Sequence, residues 1–354
     1  MAQALHFRLK DDRKELLIGD GDVQALSLEE LLSFECDATI KLRVKGGILT
    51  TSSVAIPQRV DVSASLSCES TNQCFALVRS GWLPPVFALH NSLILPDRNI
   101  ITDISRRFHQ GEVVCKARQS DFFDLFVVHD YQAKISLAPF ALEGNLKRRP
   151  VEEEVVTQLE EASRKISQAL PNLTQIPINK FTISGIMGLL EDSHDEYHKR
   201  LEFLMSCIHL LGNNAGKMRR STVWKEIFYL ASKAKLDRAD FCVITAIIAV
   251  TAPNNCNPAR GIFKPRPGYT ESDAYNALCD IQLLSLYIHI LHNFPNEKCV
   301  LLTKDNSMAK LWAGMAPMTV SRKPPLVSCN FKISRSLFPV DDYWANELYS
   351  LISG

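Results

Sequence analysis

Ser92-Leu93-Ile94-Leu95-Pro96-Asp97-Arg98-Asn99-Ile100-Ile101 is the stretch from which the fold is read. A short apolar run ends in an aspartate, and a second apolar segment with helical spacing follows at once. Such a run predicts a buried parallel strand whose terminal carboxylate reaches the carboxyl edge of an α/β sheet, where ligands bind. Far downstream, Cys299-Val300-Leu301-Leu302-Thr303-Lys304-Asp305 repeats the pattern. Two strand ends that each present an acid point to a metal site. The alternative for each aspartate is an ordinary helix N-cap, which asks for the same residue in the same place.

Outward from Asp97, apolar runs alternate with helical periodicity. Residues 90–95 and 133–137 read as strands, and 100–108 and 121–129 as helices, an order that implies a parallel sheet with right-handed crossovers. Pro150 opens a helix over 151–170, with glutamates in its first turn and Arg164 and Lys165 later, as the helix dipole favours. Helices over 183–192, 195–211, 223–234 and 238–252 follow, then a Pro/Gly/Asn-rich loop over 253–270 of the kind that often acts as a lid. A helix over 272–293, the strand 299–303, a helix over 306–313, a strand over 326–333 and a helix over 341–352 complete the chain.

Residues 1–88 differ in pattern. Alternation in Ala38-Thr39-Ile40-Lys41-Leu42-Arg43-Val44 and Val60-Asp61-Val62-Ser63-Ala64, with Gly46-Gly47 as a turn signal, predicts a mainly β N-terminal domain around one short helix over 27–34. The expected organisation is that domain over 1–88, then an α/β domain over 89–354 that carries a helical insertion at about 151–270.

Composition narrows the classes. A chain of 354 residues, 46% of them hydrophobic, can bury a large core. Forty basic against 39 acidic residues leave +1, so any contact with nucleic acid must be local. The ten cysteines contain no Cys-x-x-Cys pair and read as reduced, mostly buried thiols, which favours a cytoplasmic protein over a disulfide or zinc framework. The N-terminus turns polar too early for a secretory leader, and the longest apolar stretch, 241–252, is too short to span a bilayer.

Two further acids complete a constellation. Glu143 lies where the second strand turns through Pro139 into a helix, and from there it points back toward Asp97; the alternative is a solvated surface glutamate. Asp280, in Asn276-Ala277-Leu278-Cys279-Asp280-Ile281, sits on an otherwise apolar face and is costly to bury without a cation, with Asp273 as its substitute should the register differ. Thr303 and Asn306 are additional oxygen donors beside Asp305. In this order Asp97, Glu143, Asp280 and Asp305 resemble the PIN-domain nucleases over about residues 90–330. The resemblance implies Mg²⁺ or Mn²⁺ held by the four carboxylates, a water activated by the ion, and hydrolysis of phosphodiester bonds in single-stranded RNA. The large insertion and Pro96 depart from a minimal family member.

Four carboxylates repel a polyanion, so bases are required nearby. Arg98, Arg106, Arg107, Lys147, Arg148 and Lys304 are the candidates for contact with the nucleic-acid backbone, with Lys264 and Arg266 in the long loop. For the Arg106-Arg107 and Lys147-Arg148-Arg149 clusters the alternative is a solvated helix end. Tyr269, Tyr275 and Trp312 are either stacking surfaces or core.

Other chemistry is disfavoured. His194 and His198 have zinc-binding spacing but lack the glutamate of H-E-x-x-H, and no P-loop or Gly-x-Ser-x-Gly pattern is present. A second class of function stays open: a catalytically inactive PIN-like binding or regulatory protein that recognises a protein partner through its N-terminal β domain.

Overall fold

The computed structural model describes residues 5–8, 15–19, 22–37, 39–51, 58–67, 74–114, 124, 126, 133–144, 146–323 and 326–353. The helix expected over 121–129 falls almost wholly outside them. The chain begins with an antiparallel sheet of β1 (Leu5–Arg8), β2 (Glu15–Gly19), β3 (Asp22–Val23), β4 (Thr39–Thr51) and β5 (Gln58–Ser67). Helix α1 (Leu28–Asp37) interrupts it, started by a reciprocal cap in which Ser27 N donates to Glu30 Oε2 (2.8 Å) and Glu30 N to Ser27 Oγ (3.3 Å). Gly46-Gly47 makes no hairpin turn. Gly46 takes φ +61° where the pairing of β4 with β5 shifts register, which is a β-bulge, and its N–H donates to Asp61 Oδ1 at 2.8 Å.

The protein is α/β, and its second sheet has six strands. β6 (Phe75–Val78) and β7 (Gly81–Leu83) form a hairpin that leads into the turn α2 (Pro85–Ala88) and then β8 (Leu93–Pro96). After β8 come α3 (Arg98–Arg107), the small hairpin β9 (Phe108–His109) and β10 (Glu112–Val113), β11 (Lys134–Ile135), α4 (Ala138–Glu143), α5 (Glu152–Ala169) and β12 (Thr174–Gln175). A helical block follows: α6 (Lys180–Asp192), α7 (His194–Leu211), α8 (Arg220–Lys233), α9 (Phe241–Thr251), α10 (Pro258–Phe263) and α11 (Glu271–Asn293). Then come β13 (Cys299–Thr303), α12 (Asn306–Met315), the hairpin of β14 (Pro317–Lys323) with β15 (Leu326–Phe331), and α13 (Asp342–Ser353). The strand expected at the end of the chain therefore pairs with β14 and stays out of the six-stranded sheet.

That sheet has the order β12-β11-β8-β13-β6-β7, in which β12, β11, β8 and β13 are parallel, β6 pairs antiparallel with β13, and β7 pairs antiparallel with β6. Every residue of β13 is buried, as a strand covered on both faces requires. Two expected boundaries shift. β6 and β7 lie before residue 89 yet belong to this sheet, and the helix α1 buries Phe34 against Trp82 of β7, with ring centroids 5.9 Å apart. The segment 151–270 is also not purely helical, since it contains β12, with α5 as the crossover from β11. The all-helical part begins at α6.

The segment 253–270 is anchored. The Arg260 guanidinium donates to the carbonyls of Leu211 (3.0 Å) and Ala249 (2.9 Å) and to Asn254 Oδ1 (2.7 Å), which fixes α10 against α7 and α9. Gly261 lets α10 approach α12 closely: a Cβ there would stand 1.9 Å from Ser307 Oγ and 2.8 Å from Ser307 Cβ. Gly261→Ala is therefore expected to lower stability by about 1–3 kcal/mol by overpacking, and Ser307→Gly in the same chain to recover part of the loss. Urea unfolding of the three variants checks this; an unchanged midpoint for Gly261→Ala would show that the two helices do not meet there. No helix among the described residues is long and apolar enough to cross a membrane.

Candidate functional site

β8, β11 and β12 run outward in one direction from β8, and the chain then returns to place β13 on the other side of β8. This reversal leaves a crevice beyond the carboxyl ends of β8 and β13. Asp97 and Asp305 are the residues that follow those two ends.

Each aspartate caps a helix and faces its neighbour. Asp97, 5% exposed, accepts from Ile100 N (2.8 Å) through Oδ1 and from Thr303 Oγ1 (2.5 Å) through Oδ2. Asp305 accepts from Met308 N at 2.9 Å, and its own N–H donates to Thr303 Oγ1 at 2.9 Å. The buried Thr303 hydroxyl thus ties one strand end to the other. The N-cap role and the cavity-facing role, posed as alternatives by the sequence, are both realised.

All four acids line one cavity of about 40 Å³. Glu143 enters from the last turn of α4, where Tyr275 Oη donates to its carbonyl at 2.6 Å, and Asp280 enters from α11. Asp273 does not line it. That residue closes the capping box of α11 with Thr270 and pairs with Arg266 at 2.7 Å, which holds its carboxyl down at about 2. The cavity wall also includes Asn99, Cys279 and Gln282, which sequence reasoning missed. Asn99 and Gln282 each stand two residues from a cavity acid, but an isolated amide carries no spacing signal. Cys279 was visible only as one of ten cysteines.

Burial and mutual repulsion set the titration of the site. Burial pushes Asp97 up to about 6, with the Asp305 charge adding to the rise against the Thr303 and Ile100 hydrogen bonds. Burial pushes Glu143 up to about 7, opposed by Arg98 and reinforced by Asp97. Asp280 is driven well above the carboxylate range, by burial first and then by Asp305 and Glu143, with Lys264 opposing.

The folded chain therefore keeps protons that the unfolded chain has already released between about pH 4 and 7. Stability is complete below that window and falls as pH rises through it, by on the order of 3 kcal/mol for Asp97 alone. Thermal unfolding in EDTA is expected to show this decline, to flatten in Glu143→Gln and Asp280→Asn, and to be relieved at the alkaline end by Mn²⁺. Identical profiles for all three proteins would exclude a strained acidic cluster.

Among the described residues no three His, Cys, Asp or Glu side chains stand close enough together to hold an ion as they are. Donor type and room nevertheless fit a hard divalent cation: the wall offers carboxylate oxygens, and about 40 Å³ accommodates an ion with one or two waters. Glu143 and Asp280 make no side-chain hydrogen bond or ion pair among the described residues, so no polar partner has to be given up for them to turn toward an ion.

The expected backbone contacts are largely committed elsewhere. Arg98 Nη1 donates to the carbonyls of Phe140 (3.4 Å) and Gly144 (3.0 Å) and to Gln158 Oε1 (3.1 Å), with its guanidinium 4.1 Å over the Phe140 ring. It fastens α4 to α5. Arg106 and Arg107 occupy the far end of α3, about 13 Å along the axis from Asp97. Arg148 pairs with Glu154, and Lys304 with Asp103 at 2.5 Å. Lys147 is exposed and does not line the cavity. Tyr275 and Trp312 are core, 4% and 1% exposed. His194 and His198 stack edge to face at 4.7 Å on α7. No protein-family model, curated protein or solved structure matches the chain.

Proposed function

We propose that the chain is a metal-dependent endonuclease with a PIN-like α/β domain, hydrolysing phosphodiester bonds in single-stranded RNA. One observation carries this reading: acids from four distant segments meet in a single ion-sized cavity at the switch point of the sheet, at an electrostatic cost that a cation would offset. Asp97, Glu143, Asp280 and Asp305 are the residues that would hold Mg²⁺ or Mn²⁺. Such an ion, when bound, supplies Lewis acidity toward the phosphate and acidifies water.

The side chains divide the work. Asp97 and Asp305, locked by their helix caps and by Thr303, are fixed oxygen donors. Glu143 and Asp280, unbonded, adjust to the ion and to the charge that develops on the phosphate. The RNA preference rests on the family resemblance alone.

Labelled single-stranded RNA and DNA, incubated with the protein in Mg²⁺, Mn²⁺ or EDTA, test the reading. Cation-dependent cleavage supports it, and the faster polymer identifies the substrate. The second reading, an inactive PIN-like binding or regulatory protein, is favoured by the unclosed ligand set. Absence of cleavage under every cation would select it.

A further inference from the structure

A strand approaching four carboxylates needs cations with unspent donors, and Arg98, Arg148, Lys304 and Arg266 are engaged elsewhere. Two of the remaining bases stand near the cavity with donors to spare. Arg149, just beyond Arg148, donates from Nη2 to Leu190 O and to Ser193 Oγ (2.7 Å), with its guanidinium 5.4 Å from the Tyr197 ring centroid. Its Nε and Nη1 are buried and have no acceptor among the described residues. A guanidinium stays charged, and among the described residues no carboxylate forms an ion pair with it, so a half-buried cation is left with two idle nitrogen donors. It stands next to the cavity wall. Ser193 Oγ also accepts from Gln282 Nε2 at 3.2 Å, and Gln282 lines the cavity.

Lys264 approaches from the opposite part of the chain. It is exposed, in the left-handed conformation (φ +49°) that ends α10, and α10 packs against both α11, which carries Asp280, and α12, which Asp305 caps. Among the described residues it forms no ion pair. Arg266, two residues on, is already taken by Asp273.

We infer that Arg149 and Lys264 bind the non-bridging phosphate oxygens of the strand whose scissile phosphate enters the acidic cavity, an assignment that rests on the nuclease reading of that cavity. Both contacts are to the backbone, so they add affinity without sequence preference.

The test is fluorescence anisotropy of labelled single-stranded RNA and DNA with the full chain, across a KCl series, in Ca²⁺ and again in EDTA. Each phosphate contact contributes about 0.7 to the slope of log K against log salt for a single strand. Lys264→Ala and Arg149→Gln are each expected to shallow the slope by about that amount, and the double variant by about twice it. Arg106→Ala should leave it unchanged. Circular dichroism confirms folding, and Lys264, being exposed, keeps the test decisive if Arg149→Gln unfolds. Wild-type slopes in both variants, or no binding of either polymer by the wild type, overturn the assignment. Shallower slopes in a protein that cleaves nothing in Mn²⁺ uphold the phosphate contacts and remove the nuclease reading.

Discussion

Asp97→Asn and Asp305→Asn are each expected to slow RNA cleavage in Mn²⁺ by on the order of 10²–10³-fold, the loss seen when one transition-state charge contact is removed. The choice of asparagine separates two roles that the same residue performs. Asn is as good an N-cap as Asp, so Ile100 N and Met308 N keep an acceptor and α3 and α12 keep their starts. What disappears is the charge. Removing one charge from a repelling cluster should also make the metal-free protein more stable at pH 7.5. Activity and stability are thus expected to move in opposite directions, as at a site where strain serves function. Equal cleavage by all three proteins would assign the activity to a contaminant or another site. A fall in stability would mean that the two carboxylates are structural.

Arg200→Met carries the largest expected loss of stability, about 3–5 kcal/mol. The guanidinium grips Asp240 in a fork, with Nε 3.2 and 3.1 Å from the two carboxylate oxygens and Nη2 2.8 Å from Oδ2. Both side chains are nearly buried, at 12% and 9% exposure. Asp240 also caps α9 through Cys242 N at 2.8 Å. Loss of the arginine strands a carboxylate at the head of a helix buried at every residue but Ile244, and the attraction that offset its desolvation is gone. Asp240→Asn in the same chain keeps the cap and removes the stranded charge, so the double variant should recover much of the loss. Urea unfolding at neutral pH measures all three, and additive single losses would show that the pair does not interact.

The α/β class was legible because strand and helix differ in period, and because buried parallel strands read as unbroken apolar runs, Leu93-Ile94-Leu95 and Cys299-Val300-Leu301-Leu302 above all. Three of the four acids were legible for a related reason: Asp97 and Asp305 sit at boundaries that local pattern marks, and Asp280 interrupts an apolar face; Glu143 had only its place in the helix that follows Pro139 to set it apart from a surface glutamate. What local pattern does not contain is pairing. Gly46-Gly47 has the same composition in a bulge as in a turn, and only the register of β4 with β5 separates the two. β6 and β7 are short buried apolar runs, and only the pairing of β6 with β13 and of β7 with β6 places them in the central sheet.

The basic residues show the same limit from the side of charge. Nearness in sequence to an acid said nothing about whether Arg98 would turn inward to three acceptors, Lys304 to Asp103, or Arg148 to Glu154. A long flexible cation takes whichever partner the fold brings within reach, and that partner is usually remote in sequence. The sequence by itself determined which segments are strands and helices, and which acids are anomalous among apolar neighbours, because period and hydrophobicity are local properties. Only the tertiary structure decided that β8 and β13 are neighbours, that Thr303 joins Asp97 to Asp305, and that Arg149 is left with donors to spare, because those facts depend on contacts between residues that the chain keeps far apart.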